Sequence, residues 1–409
     1  MFLPVAVLFA VFVLTAFRNI GGFRLPMWQV MLGGALAVLL AGQITLPHAL
    51  AAVNFDVLLF LSGMFIVGRA MEESGYLSHL AYTFFRRART ADMLVLFILF
   101  VMGIASAFLL NDMLAIIGTP VVLLLARKND MPPVVLLLAL AFAVTIGSVM
   151  SPIGNPQNLL IATQGNMHNP FATFFSYLFI PTIINLLLAF AVLKIFYRSH
   201  FHRRRLNHAA EPIKDHALAQ LAKVSLLLVL LLVAAKIALL FAGVSADFRL
   251  TYIALIAALP VVALSPRRIE IVRSIDWQTL VFFASMFVLM ASVWETGFFQ
   301  SFINGYDITS VHAIFIVSVL LSQVLSNVPL VALYLPLLGH LHASTASLMA
   351  LAAGSTIAGN ALILGAASNV IIIQRAEKQG TTISFLEFAK IGIPLTIINV
   401  AVYWLFLAW

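Results

Sequence analysis

Apolar runs long enough to cross a bilayer alternate with short polar turns along almost the whole chain. A helix needs about 20 apolar residues to span the hydrocarbon core. On that ruler, crossings are predicted near 2–18, 26–46, 56–75, 132–165, 171–197, 218–243, 248–265, 276–297, 344–379 and 384–408. Segments 91–126 and 310–341 do not fit as single crossings, because each has two apolar arms around a polar centre. Each is expected to be a re-entrant hairpin, a form tolerated at membrane depth only where protein or a wet cavity surrounds the open backbone. The predicted class is an all-α polytopic membrane protein.

The polar interruptions come in pairs. Asn111 is followed nine residues later by Pro120, and Asn327 by Pro336 at the same spacing. Downstream of each lies a second interruption, "GSVMSPIGNPQN" from Gly147 and "GNALILGAASN" from Gly359. Phe60 to Tyr76 aligns without gaps with Phe282 to Phe298, matching Met64 to Met286, Glu73 to Glu295 and Gly75 to Gly297. Paired sets of broken hydrophobic segments are the strongest sequence pointer to a transporter built from an inverted repeat. Residues 1–197 are read as the first repeat, 198–217 as a basic linker and 218–409 as the second. Five crossings per half is an odd number, so the second half enters the membrane from the opposite side.

Composition agrees. The chain is 63% hydrophobic and 9% charged, with a mean hydropathy of +1.08. Ordinary globular domains run near half apolar and a quarter charged. A formal charge of +8 could suggest nucleic acid, but the basic residues sit between the spans and read as topology determinants. Ten crossings and two hairpins put Arg18, Arg24, Arg86 to Arg89, Arg127, Lys128, Lys194 to Lys214, Arg267 to Arg273, Arg375 and Lys378 on one side. Positive residues favour the cytoplasm, so the expected location is the cytoplasmic (inner) membrane, with both termini on the non-cytoplasmic side. A cleaved signal peptide is not expected, since no Lys or Arg precedes the apolar run from Phe2. Glu73 and Glu295 near helix ends, and the long side chain of Arg69, are read as solvated at the interface. There is no cysteine, and His200, His202, His208 and His216 read as solvated linker residues. Neither a metal nor a cofactor is expected.

Candidate chemistry lies at the interruptions. Asn111 and Asp112 sit at the first hairpin turn, Ser326 and Asn327 at the second. Free N–H groups at the starts of the second arms would attract an anion or the oxygens of a polar solute. The same residues could simply cap helices, but their duplication in position and spacing favours a binding site. Pro152 and Pro156, with Gly154 between them, cannot continue a regular helix. Substrate contacts are therefore expected from Ser148, Ser151, Gly154, Asn155 and Asn158, and from Gly365, Ser368 and Asn369 in the second half. Asp112 is the one carboxylate at predicted mid-membrane depth. Desolvation disfavours a charged carboxyl, so Asp112 is the expected proton carrier; the rival role is an ionised cap on the second arm. No HExxH, GxGD or facing pair of aspartates supports an intramembrane enzyme.

These residues resemble the ion transporter superfamily, which includes ArsB-type arsenite permeases, NhaD-type sodium/proton antiporters and divalent anion/sodium symporters. Ser326-Asn327 with Pro336 keeps the superfamily's Ser-Asn-Thr-like tip, with Val328 in the Thr place. Asn111-Asp112 before "IIGTP" is similar to the arsenite branch. That resemblance implies proton-driven export of arsenite or antimonite, with the bilayer as the other partner, and allows a homodimer. The alternatives it leaves open are a sodium/proton antiporter and a sodium-coupled anion or carboxylate carrier.

Overall fold

A computed structural model describes residues 3–408 except 17, 18, 21, 22, 25, 86, 199–212, 242–248, 299–307 and 326. Most of the linker and Ser326 therefore lie outside the described residues. The first half runs through α1 (Leu3–Ala16), α2 (Met27–Leu40), α3 (Leu46–Ala52), α4 (Phe55–Glu73) and α5 (Tyr76–Phe85). It continues with α6 (Ala91–Phe97), a π-turn (Ile98–Met102), α7 (Gly103–Phe108), α8 (Asn111–Lys128), α9 (Pro133–Ser148), α10 (Pro156–Gln164) and α11 (Pro170–Phe196). The second half has α12 (His216–Phe241), α13 (Leu250–Leu264), α14 (Arg268–Arg273), α15 (Trp277–Trp294), α16 (Val311–Leu325) and α17 (Asn327–His340). It closes with α18 (Thr345–Ile357), α19 (Ala367–Glu377) and α20 (Phe385–Leu407). A two-residue antiparallel pair, Asn19–Ile20 with Phe23–Arg24, is a small departure from the all-α expectation.

Local chemistry sets the matching boundaries. Asn54 caps α4 by accepting from Val57 N, and Asp276 caps α15 by accepting from Thr279 N. Gly75 and Gly297, just past the ends of the same helices, have φ of 74° and 71°, a left-handed geometry that favours glycine. Both predicted breaks are real. Helix α9 stops at Ser148 and α10 resumes at Pro156; α18 stops at Ile357 and α19 resumes at Ala367 after two short 3₁₀ turns.

Packing between the halves is reciprocal. Helix α4 packs on α13 and α15 on α2; α8 packs on α19 and α17 on α10; α11 packs on α20. Close approach depends on small residues, as in other helical membrane proteins. A Cβ on Gly63 would sit 2.7 Å from the Ala254 carbonyl, and one on Gly147 would collide with the Gly103 backbone.

Among the described residues, five helical stretches are long and apolar enough to cross a membrane. A sixth counts when α3 and α4, bent by 53°, are taken together. Helices α9, α13, α16 and α17 are apolar but shorter. One of the five is Ala91–Phe108, the first arm of the expected first hairpin. Length alone does not separate a re-entrant arm from a crossing there. Helix α5 occupies a stretch for which the hydropathy pattern predicts no element.

One end of the bundle carries an ion-pair cluster. Arg69 pairs with Glu72 at 2.7 Å and Glu73 at 2.6 Å, and Arg267 with Glu270, Glu73 and Asp215. The carboxyl of Glu270 is held below the usual range, chiefly by the hydrogen bond from Arg267. Arg69 and Glu73 are thus paired rather than merely solvated, because the α13–α14 turn brings Arg267 onto the end of α4. Arg375, near the end of α19, reaches Glu72 at 3.3 Å.

Candidate functional site

Two breaks form polar centres in the interior of the protein; the first meets the turn before α8 and the second meets Gln323 of α16. At the first turn Asn111 is buried, donates its backbone N–H to Gly154 O at 3.0 Å, and uses Oδ1 to accept from Asp112 N. The turn therefore touches the middle of the α9–α10 break. Asp112 is half-buried, and Asp276 acts on it electrostatically.

The first break is a closed amide cluster. Asn158 Nδ2 donates towards Ser148 O, Val149 O and Ser151 O at 3.1, 3.3 and 3.0 Å, taking up carbonyls at the end of α9 and in the break, of which Ser148 O is the one that Pro152 leaves without its helical donor. Asn155 Oδ1 caps α10 through Asn158 N, while its Nδ2 donates to Ser148 Oγ at 2.9 Å and Thr356 Oγ1 at 3.3 Å. Gln157 Nε2 also donates to Thr356 Oγ1, at 3.2 Å, and that hydroxyl donates to Asn158 Oδ1 at 3.4 Å. Residues 151–160 are buried throughout. Ser151 Oγ accepts from Ile153 N, and a Cβ on Gly154 would lie 2.5 Å from Ser148 O.

The second break is built differently. Gln323 Nε2 donates to Ala358 O at 2.8 Å, Asn369 Nδ2 to Gly359 O at 2.6 Å and Asn360 Nδ2 to Asn399 Oδ1 at 3.2 Å. Three consecutive residues are thus held by three different elements. Gln323 and Asn369 use their N–H groups and leave Oε1 and Oδ1 unpartnered, Asn399 holds Asn360 by accepting, and Asn360 Oδ1 is likewise buried without a partner among the described residues. Ser368 Oγ, Asn327 Oδ1 and Thr145 Oγ1 are in the same condition. Gly365 would place a Cβ 3.0 Å from both Ala358 O and Gln323 Oε1. Ala367 is exposed, whereas Pro156 in the corresponding place is buried.

The sequence-predicted residues therefore gather at two neighbouring centres: Asn111, Ser148, Ser151, Gly154, Asn155 and Asn158 at one, Gly365, Ser368 and Asn369 at the other. Residues missed by sequence reading are Gln157, Thr356, Thr145, Gln323 and Asn360. A buried amide row, Asn360 to Asn399 to Asn185, was also missed; Asn399 Nδ2 donates to Asn185 Oδ1 at 2.9 Å between α20 and α11. The signal that could have found it is Asn185 and Asn399 at matching places in the last helix of each half. Surface clefts of about 600 and 400 Å³ lie at Pro266–Ser274 and around Asp56, away from both turns. No cluster of metal-ligating side chains occurs among the described residues.

Residues 6–347 match the family model described as citrate transporter, CitMHS. The chain belongs to the citrate transporter family. This CitMHS chain is 28% identical to an uncharacterized transporter of Mycobacterium tuberculosis, over 94% of each chain. It is 25% identical to one of Synechocystis, over 92% of this chain and 91% of that one. In fold it is similar to the YdaH transporter of Alcanivorax borkumensis, with a TM-score of 0.59, 15% identity, and 99% and 97% of the two chains covered. Its class is that of a multi-pass membrane transporter of the ion transporter type.

Proposed function

We propose that this chain is a proton-coupled secondary transporter of a small hydroxylated carboxylate of the citrate kind. One observation carries the solute class. Four helices, α8, α10, α17 and α19, begin at the two turns and two breaks, and neither break nor either turn contains a Lys or Arg. Helix amino termini supply about half a positive charge each and are ready anion sites. They pack as two pairs, α8 with α19 and α10 with α17, each pair drawing one helix from each half. The starts of α17 and α19, at the second turn and the second break, suit a solute with more than one carboxylate.

In this reading Asp112 is the proton carrier. A carboxylate beside an anion site repels the anion strongly in a low dielectric. Protonating Asp112 first removes that repulsion, so solute entry and proton entry become linked. Asn111, Asn327 and the second-break residues Gly365, Ser368 and Asn369 contact solute. Ser148, Ser151, Gly154, Asn155 and Asn158 hold the first break open for the turn to reach it. A body made of both hairpins and α9, α10, α18 and α19 moves against a scaffold of α1–α4 and α12–α15. The halves are inverted in the cytoplasmic membrane, with ten crossings, two re-entrant hairpins and both termini on the non-cytoplasmic side.

A second reading, export of arsenite or antimonite by proton antiport, is favoured by the Asn111-Asp112 turn and by the absence of a side-chain cation. Arsenite near neutral pH is an uncharged trihydroxide, which needs hydrogen-bond partners rather than charge. One experiment separates the readings. Purified protein in proteoliposomes is given an imposed pH gradient and either citrate or arsenite, with sodium present or absent. Citrate accumulation that follows the proton gradient without sodium is expected, and Asp112→Asn should abolish the coupling. Undiminished proton-driven uptake by Asp112→Asn removes the carrier role. Arsenite transport without citrate transport selects the second reading, and strict sodium dependence rejects proton coupling.

A further inference from the structure

The two breaks correspond at a shift of 211 positions, which pairs Gly154 with Gly365 and Asn158 with Asn369. The pairing is structural as well. Asn158 Nδ2 reaches Ser148 O, and Asn369 Nδ2 reaches Gly359 O, which are equivalent carbonyls. At the same shift Thr356 pairs with Thr145, Asn155 with Ala366 and Gln157 with Ser368. Each threonine is contributed to the other half's break. Thr356 Oγ1 sits inside the first, and the Thr145 methyl would lie 3.6 Å from a Cβ on Gly359 in the second.

The partners of the two hydroxyls differ completely. Thr356 Oγ1 receives N–H from Asn155 and Gln157 and donates to Asn158 Oδ1. Thr145 Oγ1, Asn369 Oδ1 and Ser368 Oγ, at the equivalent places, are all buried with no partner among the described residues, and Thr145 and Asn369 are each only 1% exposed. The two carboxamides that saturate the first break are replaced by Ala366 and Ser368, which are too short to do so. Leaving several buried polar groups unpaired is costly, so such a cluster in a native protein calls for a hydrogen-bonding partner from outside the chain. Ala367, at the start of α19, is exposed, whereas Pro156 at the equivalent place in the first break is buried.

From this contrast the geometry points to a solute subsite confined to the second break, beside Asn369, in which Thr145 Oγ1 accepts the hydrogen bond of the solute's hydroxyl group and the Ser368 hydroxyl donates to a solute carboxylate. The first break shows what the second is missing, namely two donors aimed at the threonine oxygen. A solute O–H supplies a donor of that kind. Thr145 is then a specificity-determining residue lent by the first half to the second, and the first break is a scaffold without a solute contact of its own. This inference rests on the transport reading above for the identity of the solute, but not for the place of the site.

The place is tested without any solute. The chain contains no cysteine, so Ser368→Cys and Gln157→Cys each carry a single thiol at equivalent positions. A small water-soluble methanethiosulfonate reagent should modify Ser368→Cys at least tenfold faster; equal rates, or an inert Ser368→Cys in folded protein, overturn the site. The ligand class is tested with citrate and with tricarballylate, the same acid without its hydroxyl. Citrate should compete at least tenfold better in wild type, and Thr145→Val should raise the KM for citrate about five- to tenfold while leaving tricarballylate unchanged. Equal loss for both acids overturns the hydroxyl assignment. So does stabilisation by sodium alone that disappears in Thr145→Val, which would make the pocket a cation site. The double variant Ala366→Asn/Ser368→Gln, which copies the first break's donors into the second, should block binding while raising the thermal midpoint. Unchanged binding by a folded double variant overturns the proposal. If wild type transports neither acid, the solute class fails while the thiol result still decides the site.

Discussion

The two breaks share a helix–turn–helix plan and a bridging asparagine, yet one is closed and the other unfinished. In the first, every carboxamide is used on protein partners and the surroundings are buried. In the second, the carboxamides hold backbone with their N–H groups and keep their oxygens unpartnered. The difference arises from two substitutions between equivalent positions, Asn155 against Ala366 and Gln157 against Ser368. A repeat that starts with two identical polar centres can thus divide labour by shortening side chains in one copy. In the proposed reading one centre serves rigidity and the other recognition.

The contrast is most severely tested at the bridging asparagines. Asn158→Leu leaves buried Val149 O without its donor and leaves Ser148 O and Ser151 O with only a long backbone N–H contact each, at 3.4 Å; a buried unsatisfied group costs about 1–3 kcal/mol. It should fail to yield folded protein, or lower the thermal midpoint far more than Asn369→Leu, which frees a single carbonyl; size-exclusion profile and melting read this directly. If the two variants melt alike, the division of labour is wrong. Next come the glycines. Gly154→Ala forces a Cβ to 2.5 Å from Ser148 O and should destabilise by about 1–3 kcal/mol, whereas Gly365→Ala meets contacts at 3.0 Å and should cost less. The reverse order in a thermal melt would contradict the packing. The threonine pair gives a smaller effect. Thr356→Val leaves Gln157 Nε2 without its acceptor, for a loss near 1 kcal/mol, while Thr145→Val should leave stability unchanged and alter only solute affinity.

Much of this organisation is legible in the chain. The matched Asn-to-Pro spacings, the paired breaks and the Gly75–Gly297 correspondence all follow from local needs, since a left-handed turn, an interrupted helix or a cap each demands particular residue types. What is not legible is where hydrogen bonds go after the halves meet. Thr145 and Thr356 read alike in sequence as hydroxyls in apolar helices, where such groups commonly bond back to their own helix. Their different states depend on residues some two hundred positions away. The carboxamides of Asn155 and Asn158 invite assignment to solute, but the carbonyls that occupy them appear only in three dimensions. Gln323 and Asn360 have no counterparts in the other half, so repetition could not single them out. The membrane path of Ala91–Phe108 was also ambiguous, because an 18-residue apolar helix serves equally as an arm or a crossing.

The smallest expected effect concerns the contact between Arg375 and Glu72. Helix α19 carries Ser368 and Asn369 in its first turn and Arg375 in its last, so a single rod of 11 residues joins the unfinished break to the acidic end of α4. Both side chains retain substantial exposure, at 37% and 24%, and ion pairs of that kind contribute between zero and about 1 kcal/mol. Arg375→Gln should therefore change the turnover rate by less than about fivefold, and added salt should mimic it; a hundredfold change would mean that the pair governs the cycle. A tether this weak holds the resting posture without trapping it. Thermal agitation alone releases it many times in each working stroke, so the direction of net flow is left to the gradients on either side.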